Sequence, residues 1–74
     1  MKSILVNGET YYETTIGSIK KGEFFKFKPT ETARVFVRDA YCRFDKTYEY
    51  YPFDDVCDFH FAKKTRKVYV GFAF

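Results

Sequence analysis

The chain has 74 residues, which is enough for one small domain with a modest core and too few for a second domain. Lys and Arg number 13 against 10 Asp and Glu, a formal net charge of +3 that permits an acidic partner without requiring one. Apolar runs stay far below the roughly 20 residues of a membrane-spanning helix, so we expect a cytoplasmic protein that does not enter a membrane.

Aromatic residues are frequent for this length, with 10 Phe and 7 Tyr but no Trp. Aromatic side chains favour β-strands and bury a large area per residue. A small domain can therefore become stable without a metal or a disulfide.

The first local signal is a β-hairpin over residues 2–13. The runs "SILV" and "ETYYE" flank Asn7 and Gly8, and this pair suits a type I′ turn because both central residues need a positive φ. The next segment, "TTIGSIKKG", has two glycines and no sustained periodicity, so we expect a loop that ends in a turn at Gly22.

The segment "EFFKFK" alternates as a half-buried strand does. Phe25 and Phe27 fall on one face, and Phe24, Lys26 and Lys28 fall on the other. The proline that follows ends the strand, because proline cannot donate to a ladder.

The longest predicted strand is "ARVFVRDAYCRF", residues 33–44. Val35 and Val37 share a face, but continuing in step would bring Asp39 inward. A β-bulge near Arg38 or Asp39 restores the apolar phase of the residues that follow and bends the strand sharply. Small barrels use such bent strands to turn corners.

The stretch "YEYYPF" is expected to return antiparallel after a three-residue tip. We favour the register that sets Arg43 across from Glu49, because opposite charges facing each other across a ladder are mildly stabilising. The same register pairs Phe44 with Tyr48, Cys42 with Tyr50, and Tyr41 with Tyr51.

The rest of the chain predicts short features. Asp54 and Asp55 suit the start of a short helical turn, where carboxylates cap free N–H groups. "FHFA" fits a short strand or the end of that turn, and "KKTRK" is a basic connection. "VYVGFAF" closes the chain as a strand, with one side formed by Val68, Val70, Phe72 and Phe74.

Five or six short antiparallel strands, one of them long and bulged, predict an all-β, single-domain small barrel over residues 1–74. An SH3-like barrel is the first interpretation and an OB-like barrel the alternative, since alternation cannot separate them. The predicted core comprises Ile4, Val6, Ile16, Ile19, Phe25, Phe27, Val35, Val37, Cys42, Phe44, Val56, Val68, Val70 and Phe72.

Catalytic and metal-binding patterns are missing from the sequence. His60 is the single histidine, so it cannot complete a catalytic triad. Cys42 and Cys57 are expected to be free thiols, and with His60 they offer too few ligands for a metal site. The aspartates of "DDVCD" fit a capped turn, and a phosphate-binding glycine loop is absent. We therefore expect a protein that is not an enzyme and has no cofactor.

Positive and aromatic residues concentrate in the second half of the chain. If the outer face of the long hairpin and the basic connection lie side by side, they form a patch on which bases can stack. The other interpretation is a solvated strand exterior, which also alternates charged and aromatic residues. The candidate binding residues, for a protein or a nucleic acid, are Arg34, Phe36, Arg38, Tyr41, Arg43, Tyr51, Lys63, Lys64, Arg66 and Lys67.

Two short motifs resemble the binding strands of cold-shock-type OB barrels. Those proteins carry "KGFGF" on one strand and "VFVH" on the next, and here "KGEFF" and "VFVR" have the same relative spacing. Glu23 and Phe24 stand where the first motif has an aromatic residue and a glycine, and Arg38 stands where the second has histidine. The resemblance implies binding of single-stranded nucleic acid.

A longer resemblance covers most of residues 20–74. The segments "KKGEFFKFKP", "VFVRDAYCRFDKTYEYYPFDDV" and "VYVGFAF" are similar to a family of short phage and prophage open reading frames. The resemblance implies a phage or mobile-element origin, a compact β fold and a location in the host cytoplasm. It implies no activity, so no catalytic residue is carried over.

Small phage-encoded barrels often bind one host or phage protein, and a surface rich in Tyr and Arg has the chemistry of interface hot spots. We therefore expect a non-catalytic binding module for a protein partner, with single-stranded nucleic acid as the alternative ligand. An exposed aromatic surface or an edge strand would also support a homodimer. The hot-spot candidates are Arg38, Tyr41, Tyr48, Tyr50 and Tyr51.

Overall fold

A computed structural model describes residues 2–72. Seven antiparallel strands form two sheets, in the orders β1–β2–β7 and β3–β4–β5–β6, which confirms the predicted all-β class. The strands are β1 Lys2–Val6, β2 Glu9–Thr15, β3 Phe24–Phe25, β4 Phe36–Cys42, β5 Thr47–Pro52, β6 His60–Lys63 and β7 Lys67–Val70, with a 3-10 turn at Ile16–Ser18. The strand count exceeds the predicted five or six because "FHFA" forms a strand of its own, β6.

The predicted first hairpin is confirmed. Asn7 and Gly8 have φ angles of 50° and 81°, as a type I′ turn requires. Ile4 pairs with Tyr11 across the ladder, and Tyr11 is fully buried. Ile4 and Tyr11 therefore share a side, but the predicted core residues Ile4 and Val6 are only half-buried on the edge strand β1, and Tyr11 is the residue that the core encloses.

The bulge in the long strand is also confirmed. Arg38 pairs with Tyr50, but the next pair joins Tyr41 to Tyr48, so two residues of β4 oppose only Glu49 of β5. A bulge of this kind changes the phase of the strand. As a result, Arg38 and Tyr41 project from the same side of the sheet although they are three residues apart.

The predicted register of the second hairpin is wrong. Cys42 pairs with Thr47, so the connecting turn has four residues and not three. Phe44 lies within that turn and is 95% exposed, which removes it from the core. The positive φ of 55° at Lys46 belongs to this longer turn.

The core lies between the two sheets, in a molecule whose shortest dimension is 15 Å. Its centre is formed by Phe25, Ile16, Ile19 and Val68. Around this centre pack the half-buried side chains of Phe27, Phe36, Tyr48, Tyr50, Ala62 and Val70.

The two faces of the second sheet are assigned by the β3–β4 register. Phe25 pairs with Phe36 and their rings stack at 5.8 Å, so Phe36 faces the core and not the solvent. Phe24 pairs with Val37 on the opposite side. Val35 and Val37 are buried as predicted, but on the outer face of the sheet. Both alternating positions of "VFV" are apolar, so the sequence alone could not decide which of them faces inward.

Lys26 joins the two sheets and is only 5% exposed, contrary to its predicted place on a solvated face. Its backbone exchanges hydrogen bonds with Tyr69 of β7, at 2.9 and 2.7 Å. The Lys26 ammonium donates to the Thr30 carbonyl at 3.0 Å and to the Tyr11 hydroxyl at 3.4 Å. Strand β3 therefore contains only Phe24 and Phe25, because at Lys26 the chain crosses to the other sheet.

Other expectations for the later part of the chain differ from the structure. Residues 52–58 form two successive turns, and the Asp55 carboxylate accepts a hydrogen bond from the Cys57 amide, so capping is retained without a helix. Val56 is exposed there and does not join the core. The expected position of Phe74 on the same side as Val68 and Val70 lies outside the described residues. Within residues 2–72 no helix has the length and apolar character needed to cross a membrane.

Candidate binding groove

A groove opens between the tip of the β4–β5 hairpin and the connection from β6 to β7. It has a volume of about 430 Å³. Two smaller hollows adjoin it, and Thr65 lines all three. We call the largest of them the basic groove, and it is lined by Tyr41, Asp45, Lys46, Lys63, Lys64 and Thr65.

The 3-10 turn supports one wall of the basic groove. Gly17 donates a backbone hydrogen bond to the Lys64 carbonyl, and Ile16 donates one to the Arg66 carbonyl. A Cβ atom at Gly17 would lie 2.9 Å from the Lys64 Cβ and 3.0 Å from the Lys64 carbonyl oxygen. Glycine at this position therefore allows the basic connection to pack directly on the turn.

The cations of the basic groove are not neutralised within the described part of the chain. Lys46, Lys63 and Lys64 form no ion pair with any of residues 2–72. Asp45 is the one carboxylate in the lining, so the groove carries a net positive charge. A concave site with excess lysine attracts an anionic ligand.

A stack of side chains leads from the basic groove toward the core. The Tyr41 and Tyr48 ring centroids are 4.8 Å apart, and the Arg38 guanidinium lies 4.3 Å from the Tyr48 centroid. Nε of Arg38 is buried and has no hydrogen-bond partner in the described part of the chain. The bulge creates this arrangement, since it places Arg38 and Tyr41 on one side of the sheet.

Four of the ten predicted binding residues therefore converge, namely Arg38, Tyr41, Lys63 and Lys64. Two other predicted cations are held elsewhere by carboxylates. Arg34 pairs with Asp54 at 3.2 Å, and Lys67 pairs with Glu13 at 3.5 Å.

The remaining four predicted residues do not line the basic groove. Phe36 belongs to the core, and Tyr51 lies on the outer face of the second sheet. Arg43 is exposed in the hairpin tip. The Arg66 guanidinium covers the Phe27 ring at 4.6 Å and also lines one of the smaller hollows.

Tyr50 lines the same smaller hollow as Arg66. Burial raises the pKa of the Tyr50 phenol above its usual value; the positive charge of Arg66 opposes this shift and the negative charge of Asp58 adds to it. The His60 ring stacks on Tyr50 at 5.5 Å, and His60 Nε2 lies 3.1 Å from a carboxylate oxygen of Asp58.

Sequence reasoning missed Asp45, Lys46 and Thr65 as groove residues. The first two belong to a turn that was predicted one residue too short, so their position beside the basic connection was not foreseen. The run of cations around Thr65 was the available signal, because a short connection between two strands lies on the surface and exposes its side chains.

Among residues 2–72, groups of three or more His, Cys, Asp or Glu side chains that could hold a metal ion are absent. Cys42 is half-buried and Cys57 is exposed, and both are free thiols. The chain matches no protein-family model, no curated protein and no solved structure.

Proposed function

We propose that this protein is a non-catalytic binding module that engages a protein partner through the basic groove and the adjoining tyrosine pair, Tyr41 and Tyr48. The observation that carries the proposal is the set of three lysines that form no ion pair within residues 2–72 and line the groove with the exposed ring of Tyr41. Tyrosine beside cations is the composition of interface hot spots. The partner that fits this groove presents an acidic segment.

The proposal extends to the type of fold and the origin of the chain. The bridge between the sheets at Lys26 and Tyr69, together with the bulged β4, supports a small barrel, SH3-like in our first interpretation and OB-like in the alternative. The resemblance to short phage and prophage reading frames supports a phage-encoded protein. Its partner is then a host or phage protein in the host cytoplasm.

Capture of the partner from a bacterial lysate tests the proposed surface. The wild-type protein should retain a specific band that is lost with Tyr41→Ala and with Lys64→Glu, because these changes remove the exposed ring and reverse one groove charge. Lys28→Glu is the matched control, since Lys28 is exposed and does not line the basic groove.

Retention of the band by both groove variants would show that another face binds the partner. Loss of the band with Lys28→Glu as well would show that overall charge, and not the groove, controls binding. Circular dichroism of each variant would establish that it remains folded.

Single-stranded nucleic acid is the second candidate ligand. The observation that favours it is the stack of Tyr41, Tyr48 and Arg38 beside the lysines, because bases stack on aromatic rings while cations contact the phosphates. Titration with oligothymidylate at several salt concentrations tests this reading. Affinity should fall steeply as salt rises. An absence of binding at about 50 mM salt would exclude this ligand, since low salt strengthens phosphate contacts.

A further inference from the structure

A second surface, separate from the tyrosine pair, lies on the outer face of the β3–β4–β5–β6 sheet. Phe24 and Tyr51 both pair with Val37, so they share its side of the sheet. The Tyr51 and Phe59 rings meet edge to face at 5.6 Å. Strand alternation places the rings of Phe53 and Phe61 on this side as well. We define the outer aromatic patch as Phe24, Tyr51, Phe53, Phe59 and Phe61.

The outer aromatic patch already covers apolar residues of its own sheet. Val35 and Val37 are each only 8% exposed although they face away from the core. The Phe53 amide donates to the Val35 carbonyl at 3.1 Å, which continues the β4–β5 ladder under the patch. The second sheet therefore carries clustered apolar side chains on both faces, and an exposed apolar cluster of this kind marks an interaction surface.

The exposed aromatic area is close to what a dimer interface needs. The four phenylalanines of the patch are 43–56% exposed. A fully buried aromatic side chain covers about 150–250 Å², so these four leave roughly 300–500 Å² of aromatic surface in water. A standard interface buries about 800 Å² per partner, a little over half of it apolar. The rings thus supply most of the apolar area that one half of such an interface requires.

Charges beside the patch permit two copies to approach each other. Lys21 and Asp39 form an ion pair at 3.9 Å, and Arg34 and Asp54 form another at 3.2 Å, so the cations adjoining β4 are neutralised. Glu49 pairs with Phe61, and Lys63 lies two residues after Phe61 on β6, so one carboxylate and one ammonium share the side of the patch and their opposite charges offset each other there.

We propose that the outer aromatic patch is the interface of a symmetric homodimer in which the second sheets of two copies pack face to face. Such an interface is self-complementary, because each copy presents the same rings to the other. Tyr41 and Tyr48 lie on the opposite side of the sheet, so each copy keeps the tyrosine pair of its basic groove available. The dimer would then display two grooves.

Sedimentation equilibrium over a range of protein concentrations tests the dimer. The wild-type protein should reach the mass of a dimer, and Phe59→Lys or Phe24→Lys should raise the dissociation constant at least about tenfold, as expected for a central aromatic contact. Leu5→Lys is the matched control, because Leu5 is an apolar side chain that is 71% exposed on β1 of the other sheet. The control should dimerise like the wild type.

Two results would overturn the proposal. One is a monomeric mass at every concentration up to about 1 mM, a range that includes weak complexes. The other is a dimer that persists in both patch variants but dissociates with Leu5→Lys, which would place the contact at the β1 edge. Circular dichroism identifies a variant that has unfolded, and the second patch variant then decides the outcome.

Discussion

Lys26 places an ammonium group between the sheets, and within residues 2–72 no carboxylate forms an ion pair with it. The Thr30 carbonyl and the Tyr11 hydroxyl accept its hydrogen bonds, and its Nζ lies 4.6 Å from the Phe72 ring centroid. These hydrogen bonds and ring contacts offset the cost of removing the ammonium group from water, so the folded protein depends on them.

Replacement of Lys26 by Met should therefore lower the free energy of unfolding by about 1–3 kcal/mol, because methionine fills the space but leaves polar groups without a donor. Urea denaturation measures the change. Lys28→Met is the control, since Lys28 is exposed, and it should change stability by less than about 0.5 kcal/mol. Equal stability of Lys26→Met and the wild type would contradict a structural role for the ammonium.

Tyr50 predicts a dependence of stability on alkaline pH. Burial raises the pKa of its phenol in the folded protein, so the folded state holds the phenolic proton more tightly than the unfolded chain does. This contribution is fully present below the unfolded pKa of about 10 and is lost as the pH rises through the higher folded value. Between about pH 9 and pH 11 the wild type should lose more stability than Tyr50→Phe. Parallel stability curves for the two proteins would refute this assignment.

The 3-10 turn at Ile16–Ser18 is the element on which one wall of the basic groove packs. Gly17→Ala inserts a methyl group against the Lys64 backbone and Cβ, which must move to accommodate it. We expect a loss of about 1–3 kcal/mol in stability, as for other over-packed contacts, and displaced amide resonances for Lys64 and Thr65.

Ser18→Ala is the control for this change, because Ser18 is an exposed neighbour whose hydroxyl is hydrogen-bonded to the Thr15 hydroxyl and not to the basic connection. It should leave the amide resonances of the basic connection in place. Unchanged resonances in Gly17→Ala would mean that the turn does not position the groove.

The same elements show what could be predicted from the sequence. The Asn7-Gly8 turn and the bulge after Arg38 were predicted correctly, since each follows from local chemistry: a positive φ in one case and a break in apolar alternation in the other. The register of β4 and β5 was predicted wrongly. Whether the hairpin tip has three or four residues depends on which face of each strand packs on the core, and local sequence does not determine that. Phe44 was assigned to the core for that reason.

At the scale of the whole molecule, the candidate groove could be predicted only in part. The sequence identified the cationic connection after β6 and the Arg38 and Tyr41 pair. It could not show that Lys46 completes the lining, nor that Arg34 and Lys67 are neutralised, because those facts depend on contacts distant in the chain. Burial of Phe36 and Lys26 likewise depends on how the two sheets face each other.

The central claim is that the basic groove is the binding surface for an acidic segment. The most direct test is an NMR titration of the ¹⁵N-labelled protein with a polyglutamate peptide, followed through the amide resonances. We predict saturable shifts concentrated at Tyr41, Lys46, Lys63, Lys64 and Thr65, reduced in Lys64→Glu and retained in Lys28→Glu. Shifts centred on another surface, or an absence of shifts at about 50 mM salt, would contradict the claim.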